Sequence, residues 1–261
     1  MKHDLLFRKK IQSLVILAIL LIIAYLAMLL TQFDLLDSLI SIPKAIVWSV
    51  TNFYPNAYSL TKMPDIWAKL RETLLISIAA ASVASVFAFV FALFGSRATE
   101  VNRFLALIVR FIANIFRNID VSIWALVLLF SFGQSSLTGY FALFVASFGF
   151  LTRVFIETID EVGADTVEAL RATGANYLSI VFQAIVPMSI PLMISWVLFM
   201  IETNIRSATL VGILTGSGIG FIFDLYYKGM DYNSASLVVL SIALSILVTE
   251  WISNYVRRAM L

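Results

Sequence analysis

Between Ser13 and Thr31 the chain runs without one charged side chain, and a stretch of that length limits what the rest can fold into. A helix rises about 1.5 Å per residue, so about twenty apolar residues cross the roughly 30 Å hydrocarbon core of a bilayer. Backbone immersed there must satisfy its hydrogen bonds internally, which leaves helices or closed barrels. Comparable apolar stretches recur at about 72–95, 104–132, 140–155, 188–210 and 234–255. Each is of helix length, and the sequence predicts an all-α integral membrane protein with about six transmembrane helices in a single domain, 1–261. Composition agrees: 61% of residues are hydrophobic and 13% charged, against about 25% charged in soluble domains.

Cysteine is absent and His3 is the only histidine, so disulfides, thiolate metal sites and cysteine nucleophiles are excluded and zinc chemistry is not expected. The first stretch follows Lys2, Arg8, Lys9 and Lys10, exceeds a signal peptide's apolar core and has no small-residue cleavage site after it; it is expected to be retained as an anchor. Six spans place this basic cluster on one side with Arg97, Arg103, Arg153, Arg171, Arg257 and Arg258, and leave Lys44, Lys62 and Lys228 on the other. Basic residues favour the cytoplasmic side, so both termini are expected there. On the other side lies Leu39 to Lys69, where Trp48, Phe53, Tyr54, Tyr58 and Trp67 suit interfacial helices with a turn at Tyr54-Pro55-Asn56. A docking surface for a soluble protein is the alternative.

The same topology makes 156–187 the longest cytoplasmic loop. It opens with Glu157, Asp160, Glu161, Asp165 and Glu168, and continues through a helix-like run from Thr166 to Thr173 that Gly174 is placed to close in a left-handed conformation. A second run, Tyr177 to Ile185, carries Leu178, Val181, Phe182 and Ile185 at helical spacing and is expected to stop at Pro187. On the residues alone this is an amphipathic hairpin resting on the bundle.

Charges inside the spans are costly and point to function or to helix locking. Glu202 and Arg206 stand four apart on one helix face, where each neutralises the other. Arg110, Arg117 and Asp120 fall in the 104–132 stretch, which is too long for a straight crossing; an initial amphipathic part accounts for Arg110. The glycines Gly212, Gly216, Gly218 and Gly220 lack the Lys and Ser/Thr of a Walker A motif and the GxGxxG spacing. They suit a backbone reversal with close approach, and no ATP site is visible in the chain.

The run EALRATGA, followed by IVP, resembles the EAA loop of bacterial ABC importer permeases: Glu168, Ala169, Gly174, Ile185 and Pro187 match, with Leu170 at the third position. From about Tyr54 onward the chain is similar to the phosphonate and phosphite importer permeases. IRSATLVGILTGSGIGF, residues 205–221, and NFYPNAY before LRETLLIS carry that likeness. Asp120 stands where the family usually has Pro, and Ser217 where Gly is usual.

The resemblance implies the type I ABC importer permease fold in a bacterial inner membrane. It implies a homodimer around a central path and a coupling helix at Glu168, Ala169, Leu170, Gly174, Ile185 and Pro187 that seats in two ABC ATPase subunits, which hold the ATP and Mg. An extracytoplasmic binding protein would deliver phosphonate, phosphite or a related oxyanion; methionine or another small solute is the alternative cargo. No cofactor, metal, nucleic acid or bond chemistry is expected of this chain. Path or gate residues are sought among Arg117, Asp120, Glu202, Asn204, Arg206, Gly216, Gly218 and Gly220. A proton-coupled carrier titrating Glu202 or Asp120 is the rival from another class, and would show inverted repeats.

Overall fold

The computed structural model describes residues 2–260, with side chains over 9–162 and 166–259. Asp165 and the basic residues before Lys9 therefore lie outside the described side chains. Every regular element among the described residues is a helix.

Two compact units divide the chain at Phe53. The first contains α1 (Lys2–Thr31), whose segment Lys9–Thr31 is long and apolar enough to cross a membrane, and α2 (Leu35–Asn52). Asp34 starts α2: its carboxylate accepts from the N–H groups of Leu36 at 2.9 Å and Asp37 at 3.2 Å, two of the donors that a helix start leaves unpaired.

The second unit, from Tyr54, is the bundle. Its elements are α3 (Ala57–Leu60), α4 (Met63–Gly95), α5 (Arg103–Asn118), α6 (Val121–Phe132) and α7 (Ser136–Ala172). They are followed by α8 (Tyr177–Ile180), a π turn (Val181–Ile185), α9 (Val186–Thr215), α10 (Gly218–Lys228) and α11 (Tyr232–Met260). With α1, five helices among the described residues are long and apolar enough to span, or six if α5 and α6, bent 93° from each other, form one span.

At the bundle's centre α4 packs on α7 through small residues. Ser77, Ala81, Ala84, Ala88, Ala92 and Gly95 recur every three or four positions and, with Ala80, are all buried. Without large side chains between them the backbones approach closely, the main source of helix association where lipid removes the hydrophobic drive. The α7 side supplies Leu151, Phe155, Ile156 and Ile159, and edge-to-face pairs Phe87–Phe144 and Phe91–Phe148 continue the seam. Ala79 and Ser82 of the same helix are exposed.

Four expectations are corrected. The second span begins at Met63, with Pro64 in its first turn, rather than near Glu72. The 104–132 stretch is two helices, because Ile119 is extended and Asp120 starts α6 afresh by accepting from Ser122 N–H at 2.8 Å. The segment after Phe155 is no loop: α7 continues unbroken to Ala172, through Gly163, supported by the Arg153–Glu157 pair at 2.7 Å, and ends just before Gly174.

Finally, the helix from Tyr177 does not stop at Pro187 but runs to Thr215. Val186 N–H reaches back to Val181, five residues away, and this wider turn relieves the clash between the proline ring and the preceding turn. Ser189 Oγ donates to the Ile185 carbonyl at 2.5 Å, so this buried hydroxyl is satisfied within its own helix.

Candidate functional site

One end of the bundle gathers the end of α4, the start of α5 and the end of α7. There α7 closes in a double-bonded turn: Ala175 N–H donates to Leu170 O at 3.1 Å and Gly174 N–H to Arg171 O at 3.0 Å, with Gly174 at φ +80°. This is the Schellman arrangement, which needs a left-handed residue after the cap, and glycine supplies it without a Cβ penalty. Leu170 and Ala175 pack together on the central core. Asn176 then starts α8 by accepting from Ser179 N–H at 2.8 Å.

The result is a fixed corner with a polar and an apolar side. Glu168, Ala169 and Gly174 are exposed, Leu170 is half-buried, and Ile185 is buried beneath them. Pro187 is exposed. Just beyond the corner Leu178 and Phe182, four residues apart, are 63% and 66% exposed, an apolar pair that one helical turn aligns.

Two residues that the sequence left among ordinary charges fasten this corner. Asp160 Oδ1 accepts from Ser96 Oγ at 2.5 Å, Arg97 N–H at 2.7 Å and Ala98 N–H at 3.2 Å. Arg171 Nη2 donates to Ala98 O at 3.0 Å. The link between α4 and α5 is thus tied to α7 from both sides, around a hollow lined by Arg97, Ala98, Asp160, Val167, Glu168 and Arg171.

The opposite end holds the glycine-rich reversal between α9 and α10. Gly216 (φ +66°) closes α9, and Gly218 (φ +59°) is buried with a virtual Cβ against Thr73 Oγ1. Gly220 is likewise buried, against the Thr209 carbonyl. Thr73 Oγ1 accepts from Ile219 N–H at 2.8 Å, while the Glu72 carboxylate receives Ser136 Oγ, Lys69 Nζ at 2.7 Å and the Gly218 backbone. Glu72 and Thr73, noticed in sequence only as a motif's opening letters, are what hold this reversal. Ser217 Oγ bonds Thr215 Oγ1 at 2.9 Å.

The charged residues of the spans do not converge on one point. Arg206 Nη2 reaches Glu202 Oε1 at 2.8 Å; the glutamate is 9% exposed and the arginine's side chain half exposed. Asn204 is buried and donates to Ser147 Oγ at 2.8 Å, joining α9 to α7. Arg117 and Asp120 are exposed at the α5–α6 bend. Among the described residues no group of three or more His, Cys, Asp or Glu side chains is arranged to hold a metal ion.

The bundle thus combines several helices long and apolar enough to cross a membrane with a capped polar corner at one end. Residues 84–261 match the family described as binding-protein-dependent transport system inner membrane component, and the chain belongs to it. It is 28% identical over 189 residues, 72% of this chain and 69% of the relative, to the phosphite transport system permease protein PtxC of Stutzerimonas stutzeri. A 26% identity over 141 residues covers 54% of this chain and 26% of the phosphate-import permease protein PhnE of Mycolicibacterium smegmatis. The fold is similar to a chain of the methionine ABC transporter MetNI, solved in inward-facing conformations, with a TM-score of 0.62 and 23% identity over 76% of this chain and 98% of that one.

Proposed function

We propose that this chain is the membrane-spanning permease of an ATP-driven importer that carries a small phosphorus oxyanion, phosphite, phosphonate or phosphate, across a bacterial inner membrane. The α7 corner is the observation that supports this most. It offers an exposed Glu168 and Ala169, held by a glycine-dependent cap and tied to the rest of the bundle by Asp160 and Arg171. A soluble ATPase pressing on such a corner moves α7 as a rigid lever, and the α4–α5 link moves with it.

In this reading the chain pairs with a second copy around a central path, takes two ABC ATPase subunits at the Glu168 corners and receives its cargo from an extracytoplasmic binding protein. ATP and Mg belong to the ATPase, and the permease itself performs no bond chemistry. Arg97, Arg103 and Arg171 line the hollows at the corner's end, which favours that end as cytoplasmic in this reading. Names of relatives that carry phosphite and phosphate support the cargo.

The experiment is uptake of radiolabelled phosphite into cells expressing the complete system. ATP-dependent uptake that Glu168→Arg abolishes, with normal membrane insertion, is expected. Uptake that follows the proton gradient and ignores that substitution would mean a carrier titrating one of its own carboxylates instead.

A further inference from the structure

Arg103, Arg110 and Arg117 stand seven residues apart along α5. Two helical turns advance about 10 Å and rotate the face by only about 20° per step, so the three guanidinium-bearing positions form one stripe. Ala106, Val109 and Ala113 turn the neighbouring face into the core, and α5 itself carries no carboxylate. At its first turn the stripe borders a cavity of about 490 Å³ lined by Arg97, Glu100, Arg103, Leu107 and Arg110. Three guanidiniums against one carboxylate leave a surplus of two positive charges there.

The cavity has a fixed wall. Arg110 Nε donates to Gly95 O at 2.6 Å, which locks the guanidinium to the end of α4. Its Nη2 lies 3.8 Å from Glu100 Oε2, beyond hydrogen-bond range, and is buried with no hydrogen-bond partner. A buried donor left so is costly unless a ligand or a small movement of Glu100 completes it. Arg103 and Arg117 form no ion pair with a carboxylate among the described residues. The N-terminal end of α5, sixteen residues long, adds the positive pole of its dipole beside Arg103.

We propose that this cavity binds the phosphate-type oxyanion of a ligand, through Arg103 and Arg110 with Arg97 closing the rim. Guanidinium forks match tetrahedral oxyanions in bidentate geometry, and a surplus of two charges suits a dianion better than a neutral solute. The assignment rests on the importer reading and extends it: an oxyanion that leaves the level of Arg117 meets Arg110 and then Arg103 in steps of about 10 Å. Because Arg97 N–H is held by Asp160 of α7, movement of the corner that carries Glu168 also moves the rim of this site.

The same chemistry is offered by free oxyanion and by the headgroup of an anionic lipid, and the test separates them. The full chain is reconstituted in phosphatidylcholine nanodiscs and titrated with radiolabelled inorganic phosphate at low ionic strength. Saturable binding that weakens about tenfold or more in Arg103→Gln/Arg110→Gln, and is largely restored in Arg103→Lys/Arg110→Lys, supports the free-oxyanion site. Native mass spectrometry after reconstitution with phosphatidylglycerol is the second arm. A retained lipid that displaces phosphate and is lost in the glutamine variant keeps the phosphate-group site but overturns its place on the exit route. Binding of neither ligand, or equal binding by wild type and both variants with unchanged melting temperatures, overturns the site. Failure of phosphite uptake in cells with binding intact would instead overturn the importer reading.

Discussion

Asp160 and Ser96, 64 positions apart in sequence, are joined by a 2.5 Å hydrogen bond, and the same carboxylate oxygen takes two backbone N–H groups of the turn that follows α4. A single acidic side chain on α7 therefore holds the α4–α5 link. Asp160→Ala leaves those donors without it and is expected to lower stability by about 2–3 kcal/mol, the range for hydrogen bonds to a charged group with partial exposure taken into account. Asp160→Asn keeps an acceptor without the charge and should lose about half as much. Thermal melts of the detergent-solubilised chain check both, and equal melting temperatures for all three forms would contradict the role.

Gly174 and Gly218 both have positive φ, +80° and +59°, but a Cβ at Gly174 meets nothing within 4 Å whereas one at Gly218 collides with Thr73 Oγ1. Gly174→Ala should cost only the left-handed backbone penalty, about 1–2 kcal/mol, and Gly174→Asn less. Gly218→Ala adds a steric term and should cost distinctly more. Comparing the two melts separates backbone strain from packing.

Asn204 and Ser147 form a buried pair between α9 and α7. Removing either side chain leaves the other's polar group stranded in an apolar surrounding, so Asn204→Ala and Ser147→Ala should each destabilise by about 1–2 kcal/mol. Together they should cost less than their sum by about 0.5–1.5 kcal/mol. An additive double-mutant cycle would mean that the contact contributes nothing specific.

Leu178 and Phe182 are exposed beside the Glu168 corner, although apolar residues at that spacing usually face a core. Leu178→Asp and Phe182→Asp should therefore leave the isolated chain's melting temperature within a degree or two, since exposed positions rarely matter to stability. Stimulation of the partner's ATP hydrolysis in the assembled system should fall sharply. A large loss of stability in the isolated chain would place these side chains in its core instead.

Much of this was legible in the chain because membrane physics leaves few options. Apolar runs of about twenty residues predicted the spans, and Gly174 declared the end of α7 through its position after a helix-forming run. What escaped had physical causes. The end of α7 reads as a loop because counting spans assigns everything between two apolar runs to a connection, yet Glu157, Asp160 and Glu161 extend the same helix as far as Ala172. Pro187 read as a stop because a π turn that absorbs a proline leaves no local signature. Asp160, Arg171, Glu72 and Thr73 were missed as tethers because their partners lie 62 to 146 positions away in sequence. Their roles depend on which helix ends meet.

The central claim is that the Glu168 corner docks an ATPase, and recovery of the assembled complex tests it most directly. The tagged chain is purified from its native membranes, and the co-purifying proteins are identified and quantified. Stoichiometric recovery of a Walker-motif ATPase is predicted for the wild type, with loss on Glu168→Arg and on Gly174→Leu while the permease stays monodisperse. Recovery of an intact, monodisperse chain without any ATPase, or equal recovery of one with both variants, would contradict it.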